Sequence, residues 1–254
     1  MKFILSVILT TLISISSFAT DTKIIVRAKA KDAKFIGSSL GGAKVVIRNK
    51  KTQTILVQGK TEGATGNTNT IMNTPLKRGE RITDDNTAKF QATIPLSEPV
   101  FVTIEVYSTI KDNDVRVSAT TDLWLIPGKH ILGEGIIIEI PGFLVTLDNS
   151  KSSQTFTLKE LQKNPLKVTA KVVMMCGCPI EKNGMWDATQ VEVKALIKLK
   201  DNSITEVPLH FKSTNTFEGT VNFQHTGDYE VIVYAYDSTT GNTGVDTAHY
   251  KITP

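Results

Sequence analysis

From residue 20 onward, apolar and polar positions alternate with a period of two, the signature of half-buried strands. Ile24, Val26, Ala28 and Ala30 fall on one side, with Lys23, Arg27 and Lys29 on the other. Gly41-Gly42 leads into Ala43, Val45 and Ile47 alternating with Lys44 and Arg48, and Ile55 to Val57 supplies a partner strand. Further strands are predicted at Lys89–Pro95, Val100–Tyr107, around Val115–Thr120, and at Leu123–Ile126. Pro127-Gly128 and Pro141-Gly142 punctuate the apolar runs Ile136–Ile140 and Phe143–Leu147. That makes about eight short strands in roughly 125 residues, the density of a β-sandwich.

Asp148 to Gln154 (DNSKSSQ) is short and polar and reads as a linker. Beyond it, Thr157-Leu158-Lys159-Glu160 has the spacing of a capping box, predicting one helical turn that stops at Pro165. Alternation then resumes. Val168, Ala170, Val172 and Met174 oppose Lys167, Thr169 and Lys171, and Val191 to Leu199 alternates with Glu192, Lys194 and Lys198. Asp201-Asn202 is a hairpin turn, and Thr240-Gly241-Asn242 turns into the last strand. The expected organisation is all-β, with sandwiches over 20–148 and 151–254.

Residues 1–19 stand apart as a leader. Met1-Lys2 is a short positive segment, and Phe3 to Leu12 is apolar but too short to span a bilayer. Ser17-Phe18-Ala19 places small residues where a signal peptidase reads, so cleavage is expected before Thr20. Position 20 is not cysteine, which argues against a lipoprotein anchor, and no later stretch reaches ~20 uninterrupted apolar residues. The mature chain is expected in the periplasm or outside the cell. Loss of Lys2 takes the formal charge from +4 to +3, and the lysines are interspersed with acids. That distribution excludes a nucleic-acid-binding surface as the organising feature.

The C-terminal run Gly227-Asp228-Tyr229-Glu230-Val231-Ile232-Val233-Tyr234-Ala235-Tyr236-Asp237, followed by Gly241-Asn242, resembles the F–G hairpin of bacterial immunoglobulin-like domains. Tyr229 stands at the tyrosine-corner position of that pattern. Gly42-Ala43-Lys44-Val45-Val46-Ile47, with Thr83-Asp84-Asp85-Asn86 before Lys89-Phe90, is similar to carboxypeptidase-regulatory or transthyretin-type sandwiches. The leader, two sandwiches and the Met174-Met175-Cys176-Gly177-Cys178-Pro179 run together resemble the two-domain immunoglobulin-like proteins that Gram-negative pathogens secrete through a type II system. The resemblance implies a non-enzymatic protein that binds a protein or glycan partner outside the cytoplasm.

Cys176 and Cys178 are the chain's two cysteines. If the strand ending at Met174 continues, Met174, Cys176 and Cys178 face the core together. Fully extended, residues i and i+2 lie at or just past the ~6.8 Å upper limit for a disulfide, so Gly177 must bend for the bridge to close. An oxidising compartment makes that bridge the default. The alternatives are a reducible redox pair, and a Cu(I) site of Cys176 and Cys178 with Met174, Met175 or Met185. Zinc is disfavoured, since no Cys/His pattern has its spacing. His130, His210, His225 and His249 are scattered, and Asp84-Asp85-Asn86 reads as a turn before it reads as a calcium loop. Gly63 to Asn86 is long, polar and rich in Gly, Asn and Thr. It is expected to be the most mobile internal segment, with Lys77, Arg78 and Arg81 as contact candidates. Trp186 is a loop anchor placed to shield the Cys-Gly-Cys run or to meet a partner.

Overall fold

The computed structural model describes residues 19–108, 116–148, 153–199 and 204–254. Residues 1–18 of the leader, Val115 at the start of the strand expected around Val115–Thr120, the Asp201-Asn202 turn and the middle of the polar linker lie outside the described residues.

The first sandwich is built from β1 (Thr20–Ala30), β2 (Lys44–Asn49), β3 (Ile55–Lys60), β4 (Phe90–Leu96), β5 (Val100–Tyr107), β6 (Ser118–Leu125) and β7 (Ile131–Ile140). One sheet runs β4-β1-β7 and faces a second, β3-β2-β5-β6. β1 pairs antiparallel with β4 and parallel with β7, so the first and last strands of this unit lie side by side. Ile24, Val26, Ala28 and Ala30 point inward as the alternation predicts, meeting Val45, Ile47, Val102 and Ile104 of the facing sheet.

The outer face of β1 departs from expectation. Arg27, read as a solvent-facing position, is only 2% exposed. It is covered by the segment between β3 and β4, whose ends zip together: Ala64 N–H donates to Asn86 O (2.8 Å) and Ala88 N–H to Ala64 O (2.8 Å). Phe35 N–H donates to Thr65 O (3.1 Å), and Asn69–Asn73 forms a helical turn. The expected mobile loop is therefore tied to the sandwich by main-chain bonds, which composition does not reveal.

The second sandwich comprises β8 (Phe143–Leu147), β9 (Gln154–Thr157), β10 (Leu166–Met174), β11 (Glu192–Leu199), β12 (Ile204–Pro208), β13 (His210–Ser213), β14 (Thr216–Val221), β15 (Gly227–Tyr236) and β16 (Thr243–Thr253). Its sheets run β13-β14-β10-β8 and β12-β11-β15-β16-β9. Lettered along the chain, they are the D-E-B-A and C′-C-F-G sheets of an immunoglobulin-type sandwich, with β9 as the second half of strand A. The chain is thus all-β, two tandem immunoglobulin-like/transthyretin-like sandwiches. Tyr229 is 7% exposed, and its hydroxyl donates to His225 O at 3.0 Å, the bond of a tyrosine corner. The helical turn α1 (Leu158–Lys163) carries both halves of its capping box: Thr157 Oγ1 accepts from Glu160 N–H, and Glu160 Oε2 accepts from Thr157 N–H.

The strand pairing moves the boundary expected at 148–151. β8 pairs antiparallel with β10, and β9 pairs parallel with β16 in the opposite sheet. Residues 143–147 belong to the second sandwich, with β8 as the first half of strand A in one sheet and β9 as its second half in the other. The turn between the sandwiches is instead Pro141-Gly142. Gly142 has φ +119°, and a β-carbon there would stand 2.8 Å from Thr243 O, so the crossing needs glycine.

Candidate functional site

β10 ends at Met174, and the run that follows is a tight turn, not more strand. Gly177 N–H donates to Met174 O (2.7 Å), and Met174 N–H donates to Cys178 O (3.1 Å). Gly177 sits at φ +79°, a conformation open to glycine, which brings the flanking Cα atoms to 5.4 Å and joins the Cys176 and Cys178 sulfurs. Met174, Met175, Cys176 and Cys178 are all at most 5% exposed. The expected alternation therefore fails one residue after the strand, because the turn folds Met175 inward too. A β-carbon on Gly177 would stand 3.0 Å from Leu40, so the disulfide turn packs directly on the first sandwich.

Two further contacts make this region the joint between the sandwiches. The turn after β1 places Lys31 and Asp32, the latter at φ +54°, against the second sandwich. Asn242, fully buried, donates from Nδ2 to Lys31 O (3.2 Å) and accepts at Oδ1 from Gly142 N–H (2.7 Å). Trp186 donates from Nε1 to Asp32 O (2.8 Å). The Trp186 loop is itself shaped by Asp187, whose Oδ1 accepts from Asn183 N–H (3.2 Å) and Thr189 N–H (3.0 Å). One side-chain amide thus ties both sandwiches to the glycine turn between them. Asn242→Ala removes both bonds, and a cost of about 2–3 kcal/mol is expected in urea unfolding, since the groups left behind are sheltered from water. A loss below about 0.5 kcal/mol would mean that water replaces the amide fully.

Beside the joint lies a cleft of about 210 Å³. Phe143 and Met174 contribute its apolar lining, and Met185, Trp186, Asp32 and Asp237 complete it with Asp187, Gln190, Val191, Thr239 and Thr240. Burial, and then the like charge of Asp237, hold the Asp32 carboxyl above the usual carboxylate range. Asp237 accepts at Oδ1 from Thr239 N–H (2.8 Å) and at Oδ2 from the Thr240 hydroxyl (2.8 Å).

The sequence-predicted residues are distributed as follows. Met174, Met185 and Trp186 share the cleft, whereas Met175, Cys176 and Cys178 do not line it. The bonded sulfurs offer no thiolate, so a Cu(I) set would first require reduction. Among the described residues, no group of three or more His, Cys, Asp or Glu side chains is placed to hold a metal ion. Lys77, Arg78 and Arg81 are exposed on the segment between β3 and β4, away from the cleft, with Lys77 3.9 Å from Glu80. Asp84 Oδ1 accepts from the N–H groups of Asn86 and Thr87 and from the Thr87 hydroxyl, which holds its carboxyl below the usual range. That is a turn cap. Asn242, Asp32 and Asp237 were not singled out from the sequence. The Asn after Gly241 reads as a turn residue, and nothing local says that its amide reaches across the molecule.

No family model matches the chain, and no curated protein matches it. Among solved structures, it is similar to the fibronectin(III)-like modules of Clostridium thermocellum CbhA. That similarity is 12% identity over 91% of this chain and 93% of that one, with a TM-score of 0.26. It is also similar to the titin domains z1z2 in complex with telethonin, at 10% identity over 93% and 89% of the two chains, with a TM-score of 0.24. Neither likeness bears on function. Among the described residues, no helix is long and apolar enough to cross a membrane.

Proposed function

We propose that this is an exported, non-enzymatic binding protein, acting outside the cytoplasm as a host- or surface-interaction factor delivered through a type II system. The observation that carries the reading is the buried Cys176–Cys178 bond at the joint between the sandwiches. Such a bond forms and persists in oxidising compartments, which agrees with an apolar leader ahead of Thr20. The joint ties the two sandwiches together and leaves outer faces and the cleft for a partner.

Expression with the native leader in a Gram-negative host tests this. The mature protein should appear in the periplasm or medium with Thr20 as its first residue, and deleting the type II outer-membrane secretin should abolish release into the medium. Denatured without reductant, it should show no free thiol and a mass about 2 Da below the reduced form, the two hydrogens lost on bridging. Cytoplasmic retention with Met1 intact would overturn export, and recovery of two free thiols would overturn the bridge.

A further inference from the structure

We infer that the cleft at the joint is a receptor for one basic side chain, lysine or arginine, of a partner polypeptide. The inference rests on the binding role proposed above and gives it a site and a ligand chemistry. The argument is charge complementarity within a shaped cavity. On a chain of formal charge +4, every charged residue lining the cleft is an acid: Asp32, Asp187 and Asp237. Of the nearby cations, Lys29 is engaged with Glu139 at 3.2 Å, and Lys182 lies on the Asp187 side, outside the lining. Asp187 and Asp237 are each held in place by main-chain N–H groups of their own turns. Asp32 is solvent-accessible, the like charge of Asp237 disfavours its anion, and a cation between the two carboxylates offsets that repulsion.

The remaining lining fits the stem of such a side chain. Phe143 and Met174 offer apolar contact for methylenes, Met185 is 47% exposed and adaptable, and Trp186 is immobilised through Asp32 O. A cation beside an indole and two carboxylates is attracted by all three. At about 210 Å³ the cleft suits a single side chain, not a folded segment.

The test uses the full mature chain and follows Met methyl and Trp indole resonances by NMR. The probes are Nα-acetyl-lysine methylamide, its arginine counterpart, its Nε-acetylated form, the glutamate counterpart and n-butylamine. The lysine and arginine probes should shift Met185 and Trp186 saturably, while Met175 and Trp124, outside the cleft, stay still. Nε-acetylation should weaken binding at least tenfold, and the glutamate probe should not bind. Asp32→Asn should weaken binding about fivefold. Asparagine tolerates the positive φ at that position, and the carbonyl that holds Trp186 is unchanged, so the fold is preserved. Equal binding of the acetylated probe overturns the inference, as does n-butylamine binding as tightly as the lysine probe, which would define a small-amine site. If the chain captures a partner equally well with and without Asp32→Asn while the resonances stay still, the cleft reading falls and the binding role stands. If the resonances shift but the chain proves cytoplasmic, the exported role falls instead.

Discussion

Arg27→Met is expected to destabilise the first sandwich by roughly 3–5 kcal/mol. The guanidinium is 2% exposed and donates to four main-chain oxygens: Nε to Glu134 O (3.1 Å), Nη1 to Ala88 O (3.1 Å) and to Thr87 O, and Nη2 to Gly133 O (3.3 Å). These carbonyls come from two separate segments, the run into β4 and the bulged start of β7, so one side chain fastens both to β1. Burial lowers the guanidinium pKa, opposed by the charges of Glu134, Asp84 and Asp85, yet it stays cationic because arginine starts so high. Methionine keeps the length and removes every donor. Urea unfolding followed by Trp124 fluorescence should give a lower midpoint with little change in slope. A loss below about 1 kcal/mol would mean that water reaches these carbonyls once the guanidinium is gone.

A second large effect is expected from where the chain is cut. A fragment beginning at Pro141 should fold as an independent sandwich, whereas one beginning at Ser153 should be unfolded or close to it. The shorter fragment lacks β8, and with it Phe143, Val145 and Leu147, each at most 8% exposed. At about 1.5–3 kcal/mol per buried side chain, their loss approaches the whole stability of a small domain. It also strips β10 of its partner from Ala170 to Met174 and removes the Leu147 N–H that donates to Asp246 Oδ2 (2.8 Å). Thermal melts of the two fragments decide the matter. Equal melting temperatures would place the boundary back in the polar stretch after Leu147.

That boundary marks where local reading stops working. A run of small polar residues looks the same whether it links two domains or carries one strand between two sheets. The distinction lies in which partners the flanking strands find: β10 for β8, and β16 for β9. Arg27 is a similar case. Its place in the alternation puts it opposite the core, and that side of β1 is indeed not the core. It is buried because a segment more than thirty residues downstream comes back to cover it, and the segment's Gly, Asn and Thr content says nothing of the main-chain bonds that bring it there.

What the sequence determined by itself was everything that depends on near neighbours. The period of two set which face of each strand turns inward, the Thr157/Glu160 spacing set the capped helical turn, and Tyr229 marked its corner. Gly177 between two cysteines permitted a bridge because glycine alone adopts its backbone angle at no steric cost. The tertiary structure decided everything that depends on distant residues meeting. It buried Arg27, gave β8 to the second sandwich, joined Asn242 to Lys31 across the molecule, and set Asp32 facing Asp237 in one cleft. The physical reason is that alternation and turn chemistry are short-range and fix local conformation. Burial, like-charge proximity and the partners of a polar side chain are properties of the packed whole.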